Sequence, residues 1–113
     1  IAMCAMAGFD MRNKKTKYPI TAKQFEAFCA LAAYLSVNYG IPNVPTRIFT
    51  HAEFDKKRPK PDGKIDILYL SFAPHLPSDK VAAEFRKKVG WYRDQFKKGK
   101  KKFIKKGNYY EII

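Results

Sequence analysis

Two cysteines in 113 residues are too few for a disulfide framework, and no CxxC pair is present to build a cysteine zinc cluster. Cys29 falls on the apolar face of a predicted helix and Cys4 in the first apolar run, so both read as small buried hydrophobes. Hydrophobic runs long enough to cross a membrane are absent. The apolar opening, residues 1–9, is too short and too poor in N-terminal charge for a signal peptide. Acidic side chains are scarce, 10 against 23 lysines and arginines, for a formal net charge of +13. Arginine is missing from the basic block itself, where seven of the ten residues from Lys97 to Lys106 are lysine. Lysine without arginine favours loose field attraction over bidentate recognition of phosphates or bases. An RNP motif, paired aromatics on adjacent strands and an arginine-rich recognition helix are also lacking, which argues against a specific nucleic-acid module. The block reads as a solvated basic tail, residues 99–113. The functional reading of the same charge is attraction to a polyanion: cell-wall polymer, nucleic acid or anionic lipid.

What is present suffices for one packed core: 46% hydrophobic and 15% aromatic residues in a chain of single-domain length. No internal repeat is visible. Residues 1–9 read as a strand whose upstream partner lies before Ile1, so the chain looks like a fragment truncated at its N-terminus. Thr21, with Gln24 three positions later, forms a capping-box signature for a helix. Phe25, Phe28, Ala32, Leu35 and Tyr39 follow at helical spacing, with Cys29 and Leu31 widening the stripe, and Gly40 ends it. Residues 47–50, Arg-Ile-Phe-Thr, read as a short strand after Pro42 and Pro45. A proline-bracketed loop over residues 56–63 leads to residues 65–70, a strand or an irregular extended run. Beyond a loop with Pro74 and Pro77, Ser78 reads as the cap of a second long helix. Val81, Phe85, Val89, Tyr92 and Phe96 mark its buried face, and Gly99 ends it. This order implies a sheet covered by helices in a single domain, hence α/β or α+β, and is taken as an α/β fold with a mixed sheet.

The chemistry-bearing residues lie between these helices. His51 follows the expected strand, and Asp66 comes fifteen positions later with Lys64 two before it. Zinc takes imidazole nitrogen and carboxylate oxygen readily, and a catalytic site needs three protein ligands plus water. On an extended run Lys64 and Asp66 share a face, which would set a positive charge beside that water. Glu53 is positioned to orient the His51 ring or to handle a proton. His75, in Pro74-His75-Leu76-Pro77, reads as a loop or rim residue.

The HxE element at His51-Ala52-Glu53 and the GKxD element at Gly63-Lys64-Ile65-Asp66 resemble those of the zinc-dependent N-acetylmuramoyl-L-alanine amidases. That family is shared by phage lysins and peptidoglycan recognition proteins. Tyr39-Gly40-Ile41-Pro42 at a helix end, followed by the run into His51, is similar to the family's approach to its zinc-binding strand. The resemblance covers residues 1–98 as the C-terminal portion of an amidase-like domain. It implies Zn2+ held by His51 and Asp66, with Lys64 stabilising the oxyanion formed as water attacks the amide between N-acetylmuramic acid and L-alanine. It also implies a first histidine ligand and a catalytic tyrosine upstream of Ile1. Ile67 stands where many members carry proline and glycine. The expected partner is peptidoglycan or a muropeptide, with no specific nucleic acid and no membrane span. Lysins reach the wall without a signal of their own when a holin releases them. Two other classes remain open: a muropeptide-binding relative that does not cut, and a basic nucleic-acid-binding module.

Overall fold

The structure, a computed structural model, describes residues 16–61, 67 and 69–113. Its elements are helices α1 (Ala22–Asn38), α2 (His51–Lys56) and α3 (Ser78–Lys97), then strands β1 (Phe103–Lys106) and β2 (Tyr109–Ile112). The strand expected over residues 1–9, Cys4 within it, and residues 65, 66 and 68 of the run expected as strand or irregular extended chain lie outside the described residues. Of the rest of that run, Ile67 lies in a turn and Tyr69 and Leu70 are in no strand.

The first long helix forms where its capping box predicts. Gln24 N–H donates to Thr21 Oγ1 at 3.0 Å and Thr21 N–H donates to Gln24 Oε1 at 2.8 Å, so two otherwise unpaired donors satisfy one another. At the other end Gly40 takes φ 64°, and Ile41 N–H returns to the Ser36 carbonyl at 2.9 Å. That bond and the left-handed glycine make a Schellman motif. Helix α3 ends the same way, with Gly99 at φ 72° and Lys100 N–H donating to the Gln95 carbonyl at 2.9 Å. Its start differs from expectation by one residue: Pro77 is the cap, Ser78 is already helical, and no side chain caps the end.

Helices α1 and α3 pack directly on each other. Phe25, Cys29, Ala32 and Ala33 of α1 form one buried cluster with Val81, Phe85 and Val89 of α3, joined by Ile20 and Leu70. The Phe85 ring sits 6.2 Å from Phe25 and 6.0 Å from Phe28. Each fully buried side chain of this size contributes about 1.5–3 kcal/mol, so this seam dominates the stability of the described fold. Tyr92 and Phe96 extend it as half-buried neighbours. The stripe needs two corrections on α1. Leu31 and Tyr39 are exposed; Leu31 lies about 240° round the helix from Phe25, and Tyr39 is already the C-cap.

The fold thus combines helices with a small two-stranded antiparallel sheet in one compact unit. Among the described residues that sheet is the C-terminal hairpin, and no mixed sheet lies under the helices. Residues 47–50, expected as a strand, form none: a turn closes over Arg47 and Ile48, whose N–H groups both donate to the Val44 carbonyl at 2.9 Å, and the chain then runs on to the extended N-cap Thr50. Pro42 and Pro45 set that turn, and local bonds replace the ladder that β-branched residues would favour. The residues read as a basic tail fold as β1–β2, paired from Phe103↔Ile112 to Lys106↔Tyr109. Gly107 at φ 63° opens the two-residue turn, the glycine position a II′ hairpin requires. Phe103 fixes the hairpin to the helices, its ring 4.7 Å from Tyr34 of α1 and 5.4 Å from Phe96 of α3. No helix among the described residues is long and apolar enough to cross a membrane.

Candidate functional site: a cleft beside His51

Thr50 is a helix cap. Its backbone is extended, its hydroxyl accepts from Glu53 N–H at 3.1 Å, and its carbonyl accepts from Phe54 N–H at 3.0 Å. His51 is therefore the first residue of α2, exposed at the helix start and not at a strand end.

In a full capping box the Glu53 carboxylate would reach back to Thr50. Here it is engaged elsewhere. Both its oxygens accept from Arg86 of α3, Nη1 at 2.7 Å and Nη2 at 2.8 Å, while Nη1 also donates to the Ile48 carbonyl at 3.0 Å. One guanidinium thereby holds the turn before α2, and α2 itself, against α3; its planar fork makes such a bidentate grip possible. The Arg86 hydrogen bonds keep the Glu53 carboxyl below the usual carboxylate range, against the opposing effect of burial. A carboxylate held ionised on both oxygens suits anchoring better than moving a proton. Asn43 adds a further tie, its Nδ2 donating to the Arg86 carbonyl at 2.9 Å.

His51 opens on an apolar cleft of about 400 Å³. Phe28, Ala32, Leu35 and Phe85 supply its floor from the two long helices, Ile48 and Phe49 come from the turn, and Ile67 from the chain beyond the proline-rich loop. Phe49 and Phe54 stack at its edge with ring centres 5.1 Å apart. Both rings are more than two-fifths exposed, at 42% and 47%. The volume is of the size that takes a small organic ligand or part of a polymer.

Lys64 and Asp66 lie outside the described residues, so the expected convergence of His51 with Asp66 is not on view. Ile67, the residue after Asp66, lines the cleft together with His51. Among the described residues no group of three or more His, Cys, Asp or Glu side chains could hold a metal ion. His51 is the one member of the expected ligand pair that is described. His75 is exposed in the loop before α3 and lines neither this cleft nor the smaller cavity on the far side of α2. Cys29 is buried, and burial pushes its thiol up to about 12, so it behaves as an inert core residue.

Arg86 is the site residue that sequence reasoning missed. Its signal was faint: one of two arginines on a lysine-rich helix, directly after the buried Phe85. Compared with family models, curated proteins and solved structures, the chain finds no match.

Proposed function

We propose that the chain forms part of a zinc-dependent N-acetylmuramoyl-L-alanine amidase domain, a peptidoglycan hydrolase acting on the amide between N-acetylmuramic acid and L-alanine. One observation supports this reading above the others. The exposed His51 and Ile67, the next residue after Asp66, line the same apolar cleft. An imidazole and the residue next in sequence to the aspartate thus line one ligand-sized opening.

In this reading His51 and Asp66 hold the zinc, which when bound supplies a nucleophile from water at neutral pH. Lys64 would stabilise the charge that develops on the oxygen of the reacting amide. Glu53 acts at a distance: through Arg86 it fixes the turn that carries His51. The reading also implies a mixed sheet covered by helices.

The test is zinc affinity, measured by competition with a chelating dye, in the chain, in His51→Ala, in Asp66→Ala and in the double variant. Loss of either ligand should lower affinity roughly tenfold or more, since even residues supporting a ligand are worth that much. The double variant should be little worse than either single one, because two ligands to one ion are coupled. Unchanged affinity in His51→Ala would sink the assignment. Muropeptide retained but not cleaved once the first histidine ligand and the tyrosine are supplied would identify a binding relative in place of a hydrolase.

A further inference from the structure

The C-terminal hairpin carries a pattern that the amidase reading does not use. Residues 97–113 contain seven lysines, no arginine and one acidic side chain, Glu111. Lys106 pairs with Glu111 at 2.8 Å, and the other six lysines have no carboxylate partner among the described residues. Residues 105–110, the tip of the hairpin, are all exposed, and Tyr109 and Tyr110 show 58% and 60% of their surface. The base is fixed by Phe103 against Tyr34 and Phe96.

The register decides how this tip can meet a partner. Lys105 pairs with Tyr110 and Lys106 with Tyr109. Cross-strand partners share a face and successive residues alternate. Each face of the tip therefore carries one lysine and one tyrosine. A single nucleic-acid strand stacks its bases along one platform, and it would engage half of this arrangement. A layer of lipid headgroups surrounds whatever enters it, and it would engage all four side chains together. Lysine ammonium groups suit anionic lipid phosphates, and tyrosine, apolar in body with a polar tip, suits the boundary between headgroups and acyl chains.

We propose that the β1–β2 tip docks end-on into the headgroup layer of an anionic phospholipid bilayer. Lys105 and Lys106 meet lipid phosphates, and Tyr109 and Tyr110 sit at the edge of the hydrocarbon. The lysines at positions 97–102 add attraction that acts over about a Debye length.

Co-sedimentation with vesicles tests this, using phosphatidylcholine alone and phosphatidylcholine mixed with phosphatidylglycerol. The chain should pellet with the mixed vesicles only, and roughly 0.5 M salt should weaken that binding strongly. Lys105→Gln with Lys106→Gln should lower partition about 25-fold, from about fivefold per lysine near the surface. Tyr109→Ser with Tyr110→Ser should lower it about tenfold or more while leaving the thermal melt unchanged, because both rings are exposed. Equal binding to neutral vesicles would overturn the proposal, as would tyrosine variants that bind like the parent. Tighter, tyrosine-dependent binding of a single-stranded oligonucleotide would also overturn it and assign the tip to nucleic acid.

Discussion

The two sides of α3 are held by different physics. Towards α1, Val81, Phe85 and Val89 are buried in an apolar seam, with the Lys88–Glu26 ion pair confined to its solvent edge. Towards the cleft, one guanidinium on α3 holds two elements through three hydrogen bonds. Apolar burial depends little on pH or salt, whereas an ion pair depends on both. The seam is thus a scaffold, and the rim that carries His51 is a part that conditions can loosen. Ligand-binding surfaces are commonly drawn from such less stable regions.

The sharpest way to break this comparison is to empty each side in turn. Phe25 is 1% exposed at the centre of the seam, so Phe25→Ala should cost about 3–5 kcal/mol in a denaturant melt. Phe28, only partly buried and facing the cleft, should cost clearly less on the same change. Equal losses would mean that the cleft is not open in solution and that the two sides are one core.

The rim should respond to acid. Replacing Glu53 by Gln removes the charge that Arg86 holds, and should cost about 1.5–3 kcal/mol near neutral pH. Because the Glu53 carboxyl is lowered from its ordinary value of 4.5, its contribution is present above that value and is lost as pH falls through the lower, folded one. The stability difference between parent and Glu53→Gln should therefore be flat above about pH 5 and shrink below it. A difference that persists unchanged into strong acid would show that the carboxylate charge is not what holds the rim.

A smaller effect tests the cap of α2. Thr50→Ala should cost about 1 kcal/mol, and it should also move the His51 ring signals in an NMR spectrum, since the cap sets the helix start on which His51 stands. Stability loss without movement at His51 would uncouple the cap from the site.

These contrasts also explain what was legible. The long helices were readable because each carries several turns of stripe and a glycine at a position where the chain must turn left-handed, Gly40 and Gly99. Helix α2 was not. Six residues are too few for periodicity, and Ile48-Phe49-Thr50 favours strands, so the reading followed propensity. Yet Thr50-His51-Ala52-Glu53 has the spacing of a capping box, and only the diversion of Glu53 to Arg86 keeps it from completing one. The hairpin was hidden by its lysines. Gly107-Asn108 between two four-residue runs is a hairpin signal, but charge density drew the segment towards a tail reading. The cleft depends on elements far apart in sequence, and no local pattern announces it.

The smallest expected effect probes where the seam meets solvent. Tyr92 of α3 donates its hydroxyl to Glu26 of α1 at 2.7 Å, and Lys88 bonds the other carboxylate oxygen. Burial works against the charged form of Glu26, but the bonds from Lys88 and Tyr92 together outweigh it and lower the carboxyl. Burial, with the Glu26 hydrogen bond and charge behind it, raises the Tyr92 phenol well above its ordinary 10.0. Glu26 is 40% exposed at this pair, so solvent screens the interaction, and Tyr92→Phe should cost no more than about 1 kcal/mol. The pH dependence is more telling than the size. A raised phenol contributes stability that is fully present below its unfolded value and is lost as pH rises through the folded one. Above about pH 10 the parent should therefore lose stability faster than Tyr92→Phe, and the two curves should converge. Parallel curves would show that the hydroxyl is not held by Glu26 in solution. The link between α1 and α3 would then rest on the apolar seam and Lys88 alone.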